Sequence, residues 1–247
     1  GGHGIVGAQT PLGAGLAFAT KYEDEVINGG RSNRVTLCFL GDGALNQGAF
    51  HEAMNLAGLF NLPVIFIVEN NGYSMGTSIH RGTTMGHDLS SKALGYGIDA
   101  EVIDGMDVLE VHAGMSKVVA DARRRSRPWF VDMGCYRFKG HSMSDPRKYR
   151  TREEEEVFEA GDPIGRLERV MRDRGALDDL RFKEMQKAVR EEVRDAVKWA
   201  DESPAPSVGE LHHDVFVEPW GPYTGTSFPP FLREQGLKAP WREEECP

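Results

Sequence analysis

Several absences bound what this chain can be. No apolar run approaches the ~20 residues that cross a bilayer, and no basic-then-apolar leader opens the sequence, so neither a membrane span nor secretion is expected. Cysteine occurs three times, at Cys38, Cys135 and Cys246, without metal-ligand spacing. That argues against a disulfide framework and for a reducing compartment. Basic charge is in the minority: 29 Lys and Arg stand against 38 Asp and Glu, a formal net charge of −9, which speaks against a general nucleic-acid surface. The acidic residues are spread through the second half, as solvated helix faces require. Familiar nucleotide-binding words are missing too. GDGALN at 41–46 lacks the third glycine of GxGxxG, and no GKS or GKT occurs, which sets aside the usual dinucleotide and P-loop readings. At 247 residues the chain can bury one substantial core or two small ones.

What is present centres on residues 35–73, VTLCFLGDGALNQGAFHEAMNLAGLFNLPVIFIVENNGY. Apolar runs at 35–40 and 63–68, bounded by turn residues, read as parallel strands buried on both faces. Between them Ala49, Ala53 and Ala57, with Phe50 and Met54, recur at four-residue spacing, so a helix crosses over and covers the sheet. A right-handed crossover brings both carboxyl ends to one edge. Asp42 leaves the first strand between Gly41 and Gly43, and Asn70 and Asn71 leave the second before Gly72. Neighbouring strand ends lie about 5 Å apart, near enough for a carboxylate and an amide oxygen to share one cation. Ligands in open α/β sheets bind at this edge. Oxygen donors with a single carboxylate suit Mg²⁺ completed by a phosphorylated ligand better than a soft metal. Gly43 lets backbone approach a diphosphate, and the Ala44 region opens a helix whose free amides favour an anion. Asp before Gly is also ordinary turn chemistry, yet a turn alone does not require an Asn pair at the end of a second buried strand.

GDG followed by an apolar βαβ unit ending in NN resembles the diphosphate-binding motif of thiamin diphosphate enzymes. The words GIVGAQTPLGAG (4–15), ENNGYSMGTS (69–78), DGMD (104–107) and YRFKGHSMSDPRKYRTREE (136–154) resemble, more narrowly, the alpha subunits of the pyruvate dehydrogenase first component. The likeness runs from residue 1 to about 216. It implies a thiamin diphosphate-binding α/β domain over 1–150, a parallel sheet with helices on both faces. A helical carboxyl-terminal appendage over 151–216 and a proline-rich extended tail over 217–247 follow.

By the same resemblance Asp42 and Asn71 are side-chain ligands of Mg²⁺, and Tyr73 supplies a backbone carbonyl. Gly43 and Ala44 donate to the diphosphate, Gly4 and Val6 contact the aminopyrimidine, and His141 is a catalytic and diphosphate-proximal residue. The implied enzyme is an α₂β₂ heterotetramer that decarboxylates pyruvate and acetylates lipoyl domains of a dihydrolipoyl acetyltransferase core. The glutamate that activates the cofactor belongs to the beta subunit, so this chain alone is expected to be inactive. A branched-chain 2-oxoacid or acetoin dehydrogenase alpha subunit is the nearest alternative, and a non-catalytic subunit retaining the fold is the other. The sequence opens GGHG without Met. Measured against the family, an amino-terminal portion with a Tyr-Arg pair for the diphosphate is expected to be missing. The implied location is bacterial cytoplasm, or mitochondrial matrix or plastid in a eukaryote.

Bland readings are preferred elsewhere. Gly13 and Ala14 fit close packing of a helix over 4–20, residues 21–33 read as a surface loop, and His51 and Glu52 as exposed helix residues. Asp107 with Glu110, and Thr151 with Glu154, have capping-box spacing. Asp162 and Pro163 start a further helix, and Arg123 to Arg125 close one at its negative pole. Lys139 stands where mitochondrial members of the family have His. Ser142 matches a phosphorylation position there and is read as an ordinary loop serine. Over 178–200, Phe182, Met185, Val189, Val193 and Ala196 form one apolar stripe.

Overall fold

The computed structural model describes residues 2–206, so the 217–247 tail lies outside the described residues. The described residues divide into two compact units, split between 177 and 178. In the first, helix α1 (Gln9–Tyr22) precedes strand β1 (Thr36–Gly41), helix α2 (Gly48–Phe60) and strand β2 (Val64–Asn70). A hairpin of β3 (Tyr73–Ser74) and β4 (Thr77–Ser78) and the short helices α3 (Ile79–Gly82) and α4 (Ser91–Leu94) lead to β5 (Asp99–Asp104). Helix α5 (Val108–Arg125), β6 (Trp129–Gly134), α6 (Arg152–Ala160) and α7 (Pro163–Asp173) complete it. In the second unit, α8 (Asp179–Glu202) starts at Asp178, whose side chain accepts from the Arg181 N–H (2.8 Å). No residue of α8 is buried.

Four strands form one sheet in the order β1-β2-β6-β5, every neighbouring pair parallel. Helices cover both faces, which is the α/β architecture expected. Side-chain alternation sorts the core into two layers. Cys38, Leu40, Phe66, Val68 and Phe130 face α1 and α2, with Phe50, Ala53, Met54 and Ala57 of α2 packed on them. Ile65, Ile67, Trp129 and Val131 face α5 through Val118 and Ala122. Gly13 lets α1 lie on β1, because a Cβ there would sit 2.9 Å from the Cys38 Cβ and Sγ. Burial pushes both thiols in the described residues, Cys38 and Cys135, up to about 11.

Several expectations need correction. Strand β1 is buried on one face only; Leu37 and Phe39 are about half exposed. It is the sheet's edge among the described residues, and α5 leaves a cavity of about 570 Å³ beside it, lined in part by Val111, Met115 and Val119. The covering helix does not open at Ala44. A 3₁₀ turn, Asp42–Asn46, intervenes before α2 begins at Gly48. Residues 21–33 are not all loop either: α1 runs to Tyr22 and continues as a π turn, Glu23–Ile27. Lys21 Nζ fastens that region by donating to the Phe60 carbonyl (2.8 Å).

The N-cap side chains behave as their spacing predicts, but neither glutamate closes its box: the Asp107 N–H donates to the Asp104 carbonyl (3.2 Å) and not to Glu110. Asp107 accepts from Leu109 N (2.8 Å) and Glu110 N (3.4 Å), and Asp162 accepts from Ile164 N (2.7 Å) ahead of Pro163. Thr151 accepts from Glu154 N (3.2 Å). The Glu154 carboxylate, however, accepts from the hydroxyls of Tyr73 and Tyr136, so that second half of the box serves tertiary contact.

Candidate functional site

The carboxyl edge of the sheet collects the polar residues. Register pairs Gly41 with Glu69, so Asp42 and the Asn70–Asn71 pair leave adjacent parallel strands at the same edge. Asp42 is 2% exposed, and its Oδ2 is a buried oxygen without a hydrogen-bond partner. Burial is the first cause holding the Asp42 carboxyl above its ordinary range; backbone N–H donation and nearby Arg137 oppose it. A buried carboxylate oxygen with nothing to accept from is costly, and a cation would satisfy it.

Asn71 and Tyr73 follow at a tight turn. Asn71 Oδ1 accepts from Tyr73 N (3.1 Å), Asn70 Oδ1 accepts from Gly72 N (3.3 Å), and Gly72 takes φ +76°. The Ile79 N–H donates to the Gly72 carbonyl (2.8 Å) and Tyr73 pairs with Ser78. In an antiparallel ladder this makes Tyr73 and Ser78 a non-hydrogen-bonded pair, leaving the Tyr73 carbonyl outside the ladder. One carboxylate, one amide oxygen and one main-chain carbonyl are the hard donors that oxygen-seeking divalent cations take. Among the described residues no cluster of three His, Cys, Asp or Glu side chains is placed to hold a metal; the donor set here includes one such residue.

Gly43 is needed for a reason beyond the one its motif implies. A Cβ there would meet Ser74 Cβ at 2.7 Å, so the hairpin presses on the GDG turn. Ala44 beside it is buried. The Gly4 to Val6 segment is exposed and is tied to the same turn, since the Gln47 amide donates to the Val6 carbonyl. Gly7, at φ +86°, leaves room for the Gln47 side chain.

His141 lies on the loop that follows β6, and its side chain is exposed. The loop is ordered by its own bonds. Asp145 accepts from the backbone N–H groups of His141 (2.7 Å) and Arg147 (2.9 Å) and from the Tyr149 hydroxyl. The Tyr149 bond, then those two N–H groups, hold the Asp145 carboxyl down at about 2. Arg137 donates to the Met75 carbonyl and the Tyr149 hydroxyl (both 2.8 Å), which fastens the loop to the hairpin tip.

Residue-type reasoning missed three participants. Arg150 is buried, with its guanidinium 4.9 Å from the Tyr73 ring and 4.8 Å from that of Tyr136. Glu154 accepts from both tyrosines, and burial first, then that bond, raises the Tyr73 phenol. Asp132, an acid inside the apolar word FVDM, is 7% exposed and accepts from Asn70 Nδ2 (3.0 Å). The signal for Asp132 was legible: a lone carboxylate within a buried strand requires a partner.

Residues 1–209 match the family described as Dehydrogenase E1 component. The chain is 44% identical over 217 residues to "Pyruvate dehydrogenase E1 component subunit alpha" of Rickettsia bellii, covering 88% of this chain and 64% of that relative. It is 43% identical over 218 residues to the protein of the same name from Rhizobium meliloti, covering 88% and 60%. To the one from Porphyra purpurea it is 35% identical over 218 residues, covering 88% and 63%. In each case the chain spans less than two thirds of the relative's own length.

Proposed function

Because the chain belongs to the Dehydrogenase E1 component family, we propose that it is the alpha subunit of a pyruvate dehydrogenase (acetyl-transferring). The observation that carries this reading is the buried, unpartnered Asp42 Oδ2, at the same sheet edge as the Asn71–Tyr73 turn. Asp42, Asn71 and the Tyr73 carbonyl would hold Mg²⁺, and Gly43 and Ala44 would donate to the diphosphate of thiamin diphosphate. When bound, that cofactor supplies a nucleophilic thiazolium carbon and an electron sink for decarboxylating a 2-oxoacid. The chain's own part is anchoring. A carboxylate already stripped of water and fixed by backbone donors spends little reorganisation on receiving a cation.

Gly4 and Val6 would meet the aminopyrimidine through backbone groups. That segment is held near the GDG turn by the Gln47 bond to Val6, which supports the reading. His141, on a loop tethered to the hairpin through Arg137, would donate to the diphosphate or move protons near neutral pH. The assembly we infer is α₂β₂, with lipoyl domains of a dihydrolipoyl acetyltransferase core receiving the acetyl group from pyruvate. Two named relatives above are bacterial, which favours a bacterial cytoplasm. No described helix is long and apolar enough to cross a membrane. The appendage over 151–216 and the tail over 217–247 complete the domain assignment.

Calorimetry of thiamin diphosphate and Mg²⁺ on the enzyme assembled with its beta subunit tests the reading. Saturable binding that Asp42→Ala abolishes is expected, and binding unchanged by that substitution overturns the ligand assignment. Turnover of pyruvate against branched-chain 2-oxoacids and acetoin by the same assembly decides the substrate, with pyruvate expected to lead.

A further inference from the structure

We propose that Asp132 is a positioning residue of the candidate cation site: its carboxylate fixes the side chain of Asn70 and, through it, the turn that delivers Asn71 and Tyr73. This inference rests on the reading of that edge as a Mg²⁺ site.

The placement comes from strand alternation. Asp132 in β6 and Asn70 in β2 share the sheet face of Phe130, Phe66 and Val68, the face on which Asp42 also lies at the end of β1. Asp132 pairs in register with Val68, two residues before Asn70, so it reaches Asn70 diagonally from inside the sheet. No ionised carboxylate can donate a hydrogen bond. Asn70 must therefore turn its NH₂ toward Asp132, which it does at 3.0 Å, and that leaves Oδ1 facing the Gly72 N–H at 3.3 Å. Without the acid, the two ends of the Asn70 amide could exchange, and the Gly72 N–H would face a donor.

The main chain adds a second constraint. Cys135 N, three residues after Asp132, donates to the Asn70 carbonyl (2.9 Å). Asn70 is thus held by both its backbone and its side chain from β6 and the residue after it. The next residues are Asn71, whose Oδ1 binds Tyr73 N, and Tyr73, whose carbonyl stands outside the ladder. Asp132, 7% exposed and paired with the half-buried Asn70, contributes little to packing that a leucine could not. What leucine cannot do is choose which end of Asn70 faces Gly72.

The test uses Mn²⁺ in place of Mg²⁺, titrated with thiamin diphosphate into the enzyme assembled with its beta subunit and followed by electron paramagnetic resonance. Asp132→Leu is expected to weaken Mn²⁺ binding about 10- to 100-fold, as for other outer-shell partners of metal ligands. Asn70→Ala should cost a similar factor, and the double variant no more than either alone. Asp132→Asn, whose amide can donate as well as accept and so no longer fixes which end of Asn70 faces Gly72, should also lose affinity, by a smaller factor than Asp132→Leu. A packing role predicts the opposite, with leucine tolerated and Mn²⁺ affinity unchanged, and that result, or independent losses that multiply, overturns the proposal. Should Asp132→Leu fail to assemble, Asp132→Ser puts the side chain out of reach of Asn70 and carries the same two outcomes. Asp42→Ala distinguishes loss of the cation site from loss of the positioning role. If it leaves Mn²⁺ binding intact the cation site itself is wrong; if it abolishes binding while Asp132→Leu does not, only the positioning role fails.

Discussion

At the scale of single residues, the loop carrying His141 is governed by Asp145. Its carboxyl, held at about 2 against an ordinary value of 3.8 by the Tyr149 hydroxyl and the N–H groups of His141 and Arg147, is depressed in the folded chain. A depressed acid contributes order that is present above its unfolded pKa and is lost as pH falls through the folded one. Amide exchange at His141 and Arg147 is therefore expected to accelerate as pH falls from about 4 to 2 beyond its intrinsic trend, and Asp145→Ala should show fast exchange there already at neutral pH. Identical protection in wild type and variant would remove Asp145 from that role. Residue chemistry of this kind was only partly legible. Asp42 and the Asn pair announced themselves by position, as polar residues at the ends of apolar runs. Arg150 and Glu154 did not, because their partners Tyr73 and Tyr136 lie 77, 81 and 14, 18 positions away in an order that only the fold brings together.

Helices and strands impose tighter conditions than their periodicity reveals. Helix α1 rests on β1 at Gly13, where a Cβ would stand 2.9 Å from two atoms of Cys38. Both are buried elements of one layer, so neither can retreat freely. Gly13→Ala is expected to destabilise the fold by about 1–3 kcal/mol as an overpacking substitution, read as a lower thermal midpoint of the cofactor-free protein; an unchanged midpoint would mean the layer can open there. The GDG turn is constrained in the same manner from the other side. Gly43→Ala drives a methyl into Ser74, so it should displace the hairpin and weaken cofactor binding by calorimetry, and Gly43→Ala with Ser74→Gly should recover part of the loss. Small residues in the GIVGAQTPLGAG word signalled close packing, and the structure bears that out for Gly13 and Ala14. The 3₁₀ turn at 42–46 and the π turn at 23–27 were not foreseen. Such turns are chosen by what their residues must reach, here the sheet edge for the first and Ser32 and Arg34, through Asp24 and Glu23, for the second, and not by a repeat in the residues themselves.

For the molecule as a whole, exposed apolar residues matter more than any single contact. On and beside α1, Ile5, Leu12, Leu16, Val26 and Ile27 are each at least half exposed, and large apolar side chains left in water in such number are a mark of an interaction surface. This fits a subunit that needs a partner. Expressed alone, the chain is expected to decarboxylate no pyruvate, with activity appearing on addition of the beta subunit. Leu16→Glu should weaken that assembly in sedimentation while leaving the chain's own thermal midpoint nearly unchanged. Activity of the isolated chain would contradict the division of labour proposed here. The sequence by itself determined the βαβ unit, the parallel sheet, the helix caps and the edge at which Asp42 and Asn71 emerge, because apolar periodicity and turn chemistry are local and each is written within a few residues. Only the tertiary structure decided that β1 is covered on one face, that Glu154 leaves its capping box for two tyrosines, and that Asp132 turns toward Asn70. Those outcomes depend on which strands become neighbours, and a burial or hydrogen bond between residues 62 or 81 positions apart has no local signature.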